Sequence, residues 1–217
     1  RDVERSRGLG DVYKRQEYGV ALGLDNFSGT VGGNVSGTSD LAPLDQQADM
    51  LHELFPDAKN VGILYCSAEP NSAYQSQTIQ GYLKDYGYEC TEYTFADSND
   101  IASVVNNAIA TSDVLYIPTD NTAASNTTII QNICQPAGIP IIAGEEGICS
   151  GCGVATLSIS YYDLGYKTGE MAYEILVNGA DVSQTAVEFA PNVTKKYNAA
   201  NCEALGITVP DDYVAIE

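Results

Sequence analysis

The sequence predicts an α/β fold, a doubly wound lobe with helices on both faces of a parallel sheet. Strand-like and helix-like stretches alternate from Pro43 to Ala143. Most of the strand-like runs (Val61–Tyr65, Val114–Ile117 and Ile139–Ala143) are apolar rather than alternating, as strands buried on both faces are. Gly87, Pro136 and Gly138 close two of the helical stretches close to the next run.

The elements follow in order. Pro43 followed by LDQQADMLHELF reads as an amphipathic helix with Leu44, Ala48, Leu51 and Phe55 on one face and proline in its first turn. The strand Val61–Tyr65 comes next. Asn71 and Ser72 then cap a helix to about Tyr86, which Gly87 ends. A second strand covers Glu89–Phe95, and Asp97, Ser98 and Asn99 cap a helix over Asp100–Ala110. The third strand, Val114–Ile117, stops at Pro118. A helix over Thr122–Gln135 ends at Pro136 and Gly138, and the fourth strand is Ile139–Ala143. Crossovers between these parallel strands are expected to be right-handed. Two pieces fall outside this lobe: the glycine-rich Tyr18–Thr38 and a helix over Tyr162–Val177. The apolar positions of that helix (Leu164, Met171, Ile175, Leu176) need a partner surface. A short helix from Asn198 to Leu205 closes at Gly206, and Ile207–Ile216 is extended.

The 217 residues carry a formal charge of −19, with 29 acidic residues against 10 basic. That balance repels nucleic acid and disfavours docking on an anionic bilayer through a basic patch. Its plainest meaning is solubility. Half of the basic residues (Arg1, Arg5, Arg7, Lys14, Arg15) lie in residues 1–16, where Asp11–Gln16 looks like a translated sequencing adaptor. Residues 1–16 are therefore expected to be an artefact, disordered and outside the fold. Without them 5 basic and 26 acidic residues remain. No apolar run reaches the length of a membrane-spanning helix.

In open α/β sheets ligands bind beyond the carboxyl ends of the strands. The loops there are Cys66–Ser72, Thr119–Thr122 and Gly144–Gly147, each a carboxylate among small hydroxyl or amide groups. That inventory suits a zwitterion. The helix opening at residue 71, with the Ser67 and Ser72 hydroxyls, could hold a carboxylate. Asp120 and one of Glu145 or Glu146 could pair with an ammonium. The plainer readings are helix capping for Asn71, Ser72 and Asp120, and a solvated turn for one of the two glutamates.

Catalytic readings are weak. His52 is the only histidine and sits within a helix, which removes the usual nucleophile activation and most zinc sites. There is no phosphate-binding GxxxxGK[ST] motif, and Gly29–Gly33 lacks a dinucleotide spacing. Among six cysteines only Cys149 and Cys152 form a C-x-x-C, read as a local disulfide or free thiols ahead of redox or metal chemistry. Cys66, Cys90 and Cys134 read as buried thiols. No enzyme activity, metal or cofactor is expected.

Asn34–Asp40, Val61–Tyr65, Ser67–Ser72, Pro118–Asn121, Gly144–Glu146, Ala155–Gly165, Asn198–Ala200 and Leu205–Ile207 together carry a resemblance. In this order they resemble the tryptophan/tyrosine-type family of ABC transporter substrate-binding proteins, over essentially all of residues 17–217. The resemblance implies a type I periplasmic-binding-protein fold: two α/β lobes joined by three crossings that close on ligand. The crossings would lie near Thr38–Asp40, Leu157–Tyr161 and Phe189–Val193. Residues 41–156 and 191–217 would form lobe two, nearly complete, with 17–40 and 157–190 a remnant of lobe one. A full-length member would carry roughly 100 further residues before this point, a domain's worth. By the same resemblance Ser67, Glu69, Asn71, Ser72, Asp120, Asn121 and Glu146 would line lobe two's half of the cleft, and Thr38 and Ser39 would reach in from the hinge. The implied function is a monomeric extracytoplasmic receptor, periplasmic or lipoprotein-anchored, that delivers an amino acid to an ABC permease. The alternatives are a ligand-sensing domain of a receptor or regulator, and a thiol-redox protein using Cys149 and Cys152.

Overall fold

The computed structural model describes residues 29–190 and 192–216. Residues 1–16 and the first part of the 17–40 stretch lie outside the described residues. The chain divides into two compact units. One holds the described residues up to Pro43 with Ile159–Val193, and the larger holds Leu44–Ser158 with the chain from Thr194 onward.

In chain order the elements are β1 (Thr38–Ser39), α1 (Leu44–Leu54), β2 (Asn60–Cys66), α2 (Pro70–Asp85), β3 (Glu89–Phe95), α3 (Ile101–Ile109) and β4 (Val114–Ile117). There follow α4 (Asn121–Ala124), α5 (Thr127–Ala137), β5 (Ile141–Ala143), α6 (Glu146–Cys152), β6 (Ala155–Ile159) and α7 (Tyr161–Leu176). β7 (Glu188–Phe189), β8 (Val193–Tyr197), α8 (Ala199–Leu205) and β9 (Val214–Ala215) complete the order.

One sheet runs β3-β2-β4-β5-β6-β8-β9. The β2–β3, β2–β4, β4–β5, β5–β6 and β8–β9 pairs are parallel. This is the doubly wound parallel sheet that the apolar strands predict. Residues alternate between its faces. Leu64, Cys66, Leu115, Ile117, Ile141 and Ala143 pack beneath α3, α5 and α6 through Ile101, Val105, Ile130, Cys134 and Ile148. Tyr116, in the opposite phase, reaches Gln47 of α1. Burial of these side chains contributes on the order of 2 kcal/mol each, which is what holds the layers together.

The sheet extends beyond the four predicted strands. β6 and β8 form at two of the stretches the resemblance gives as crossings, and β9 forms in the extended tail. The predicted helix over Thr122–Gln135 is divided into α4 and α5. Ser125 Oγ donates to the Asn121 carbonyl and Asn126 Nδ2 to the Thr122 carbonyl, 2.8 and 2.7 Å, taking up carbonyls of the first turn. Pro136 lies inside α5 rather than ending it, and Gly138 closes the helix in the left-handed conformation, φ 73°. The glutamate-rich turn after β5 is the cap of a helix, α6, that the loop reading did not foresee.

The smaller unit is described by itself. Within it β1 pairs in parallel with β7, and Leu164 of α7 packs with Ala42 and Ile159. Leu164 and Met171 are buried, whereas Leu176 is exposed along with Tyr162, Tyr166 and Tyr173.

Candidate functional site: the carboxyl edge of the sheet

β2, β4 and β5 end side by side, so the three loops predicted to converge do meet. Asp120 joins two of them. It is 1 % exposed. One carboxylate oxygen accepts from the Cys66 N–H and the Ser72 hydroxyl, both at 2.8 Å, and the other from the Ala123 N–H at 2.7 Å. Asp120 therefore caps α4 and ties the end of β2 to α2. Burial raises its pKa, against the three donors that favour the charged form.

Glu69 makes a second tie. Its carboxylate accepts from the Asn121 N–H (2.9 Å) and Nδ2 (3.1 Å), and from the Thr122 N–H (2.9 Å) and hydroxyl (2.8 Å). Burial pushes this carboxyl up, but the two backbone N–H groups and the two side chains outweigh it and hold the pKa below the ordinary value. Ser72 is fully buried, and its hydroxyl also lies 3.3 Å from the Thr119 carbonyl. Asn71 Nδ2 donates to that same carbonyl at 2.8 Å, and the Thr119 N–H donates to Gln75 Oε1 at 3.0 Å. The loop after β4 is thus held on both sides of its peptide by α2.

The third loop is anchored by close backbone approach. Gly144 donates to the Ile117 carbonyl at 2.7 Å, and Gln47 Nε2 donates to the Gly144 carbonyl at 3.2 Å. A Cβ at Gly144 would stand 2.6 Å from the Thr119 nitrogen and 2.7 Å from the Pro118 carbonyl carbon, so glycine is required by contact. Glu145 caps α6 through the N–H groups of Gly147 (2.7 Å) and Ile148. Glu146 Oε2 accepts from Ser158 Oγ at 2.6 Å and Lys196 Nζ at 2.8 Å. Burial raises its pKa, but those two hydrogen bonds and the lysine's charge bring it below the ordinary value.

The structure thus brings Ser67, Glu69, Asn71, Ser72, Asp120, Asn121 and Glu146 to one edge of the larger unit. All four carboxylates of this rim accept hydrogen bonds from protein groups. α2 opens with Pro70 and has no side-chain cap, so its first N–H groups and positive dipole end stand beside Ser67, Asn71 and Asn121. Ser67 and Asn121 are exposed and Asn71 is half-buried. Thr38 and Ser39 belong to the smaller unit. There Thr38 Oγ1 lies 2.8 Å from Thr168 Oγ1, and the buried Ser39 accepts from the Leu41 N–H. Gln47, Gln75 and Lys196 were missed in the sequence. They act from helix and strand interiors, where no loop motif points to them.

The other candidates lie elsewhere. His52 stacks on Tyr86 at 4.3 Å and meets the Tyr88 hydroxyl at 2.8 Å, near the opposite end of β3. Cys149 and Cys152 are free thiols, not the possible disulfide. Both point into the core from a single turn of α6, and Cys152 lies 3.4 Å from the Ile148 carbonyl. Burial raises the pKa of both, and pushes that of Cys134 up to about 12. That is the reverse of a reactive thiolate. Among the described residues no group of three or more His, Cys, Asp or Glu could hold a metal ion. No helix among them is long and apolar enough to cross a membrane.

Comparisons with known proteins bear on the family and the fold. The family model for ABC transporter substrate binding proteins matches residues 20–216. A tyrosine-binding protein of Clostridioides difficile (strain R20291) is 39% identical over 157 residues, 72% of this chain and 46% of the relative. The chain thus spans about half the length of that curated relative. A solved ABC domain from Streptococcus pneumonia in complex with L-Trp superposes with a TM-score of 0.82 at 29% identity, covering 92% of this chain and 70% of that one. A substrate binding protein with adhesive properties from Clostridium difficile, solved ligand-free and open, gives a TM-score of 0.72 at 35% identity, covering 92% and 68%. With the family model matching nearly the whole chain, the protein belongs to the family of ABC transporter substrate binding proteins.

Proposed function

We propose that the protein is an extracytoplasmic receptor that binds an aromatic amino acid and passes it to an ABC permease without chemical turnover. The observation that carries this reading is the polarity of the rim. All four carboxylates are engaged as braces, Asp120 from a buried position and Glu69, Glu145 and Glu146 from partly exposed ones, and the start of α2, without a side-chain cap, lies beside Ser67, Asn71 and Asn121. Such an edge favours an anion. In this reading the ligand's carboxylate sits on the first turn of α2 with Ser67 and Asn71, and Asn121 flanks it. Ser72, Asp120 and Glu69 position these groups from behind. The tyrosine-binding and L-Trp-bound relatives support an aromatic side chain. Ligand then stabilises a closed population, as hinge-closing receptors do.

A thermal-shift panel of the twenty amino acids and simple sugars tests the proposal. Ligand at 100 times Kd stabilises by about 2.7 kcal/mol. For a chain of this size that is a rise in Tm of roughly 5–10 °C. L-Tyrosine or L-tryptophan should give it and sugars should not. Absence of a shift with every amino acid would remove the ligand class.

A further inference from the structure

Outside residues 1–16 the sequence has only five basic side chains, and two of them, Lys195 and Lys196, are adjacent. They lie on β8, the strand by which the chain re-enters the larger unit at Thr194. Neighbouring residues of a strand point to opposite faces, and these two are tied to opposite helical layers. Lys195 Nζ meets Glu53 of α1 at 2.9 Å and Asp212 at 3.0 Å. Lys196 Nζ meets Glu146, the first residue of α6, at 2.8 Å.

Glu146 has a second donor on the same oxygen. Ser158, the last residue of the larger unit before the chain leaves it, donates at 2.6 Å. One carboxylate oxygen thus holds the departing strand β6 and the returning strand β8, which are neighbours in the sheet. Further along, Asn198 Nδ2 donates to the carbonyls of Cys149 and Ser150 at 3.2 and 2.9 Å, fastening the returning chain to α6 a second time.

We infer that Glu146 is a positioning residue, a clasp that joins the departing and returning strands through Ser158 and Lys196, and that it does not contact ligand. Two donors converging on one charged oxygen are stronger than an isolated surface pair. Their partial exposure, 28% for the Lys196 side chain and 36% for that of Glu146, keeps the effect moderate.

The test is a double-mutant cycle read by amide hydrogen exchange. Lys196→Met and Glu146→Gln should each speed exchange about threefold in both β6 and β8 while leaving β2 and β4 unchanged. The double variant should add nothing further, and Lys196→Arg should restore protection. Additive effects in the double variant, or unchanged exchange in Lys196→Met, would overturn the clasp. A second arm uses L-tyrosine and rests on the proposed function. The clasp predicts that Glu146→Gln and Lys196→Met alter Kd by the same factor. A loss of affinity in Glu146→Gln alone would make Glu146 a ligand group and refute the inference. If neither L-tyrosine nor L-tryptophan binds any version, the receptor reading falls while the exchange arm still decides the clasp.

Discussion

Asp120→Asn is the sharpest perturbation of the rim, because it changes one atom and leaves the volume alone. The carboxylate meets three donors: the N–H groups of Cys66 and Ala123 and the hydroxyl of Ser72. An amide offers one accepting oxygen, and its NH2 must then face at least one backbone N–H. Rotating the amide only exchanges which N–H is stranded. The lost charge-assisted bond is worth about 1.5–3 kcal/mol, and a buried donor left without acceptor costs about 1–3 kcal/mol. Because Asp120 is 1 % exposed, water cannot replace the missing acceptor. Partial relaxation of Ser72, whose hydroxyl can turn to the Thr119 carbonyl, brings the expected loss to about 2–4 kcal/mol. In urea titrations with a slope of about 2 kcal/mol/M the midpoint falls by roughly 1–2 M. A midpoint unchanged within error would refute the brace and restore Asp120 as a free ligand group.

Other consequences follow from single contacts. Thr156 Oγ1 is buried without a hydrogen-bond partner among the described residues, so Thr156→Val should raise stability by about 1 kcal/mol in the same urea assay. Gly144→Ala would press a methyl onto the Pro118–Thr119 backbone; it should cost more than about 2 kcal/mol and weaken binding as the third loop is displaced. The thiols of Cys134, Cys149 and Cys152 are buried with raised pKa values, so the native protein should leave them unlabelled by a disulfide reagent at neutral pH until denaturant is added, and should not reduce insulin. The pKa values of Glu69 and Glu146 are depressed from 4.5. Their stabilisation is complete above 4.5 and is lost as pH falls through the folded values, whereas Asp120, raised from 3.8, contributes in the opposite sense as pH rises. Urea midpoints from about pH 3 to 6 should therefore show an acid-side loss that is smaller in a Glu69→Gln, Glu146→Gln double variant.

How much of this was legible in the sequence depends on how local the physics is. Apolar β2, β4 and β5 were readable because burial on both faces leaves a continuous apolar run, whereas the capping read at Asn71 and Ser72 and at Asp97–Asn99 is not found: α2 and α3, with Glu69 and Asp100 at their N-cap positions, begin without a side-chain cap. The convergence of the three loops followed from parallel topology alone. α6 was not readable as a helix, since Glu145-Glu146-Gly147 resembles a polar turn. Its cap becomes visible only when the Glu145 carboxylate is seen on the N–H groups of Gly147 and Ile148. The roles of the rim carboxylates were not readable either. Their bracing contacts come from donors distant in the chain: Cys66 and Ser72 are far from Asp120 in sequence. Lys196 illustrates the same limit: nothing in Val193–Tyr197 says that one lysine reaches α1 and the next reaches α6.

The claim that most depends on this geometry is that the rim reads a carboxylate. Isothermal titration of the full-length gene product with L-tyrosine and with tyramine, which lacks that group, tests it directly. Saturable binding of L-tyrosine with tyramine silent is the predicted result. Tyramine binding as tightly as L-tyrosine would contradict it.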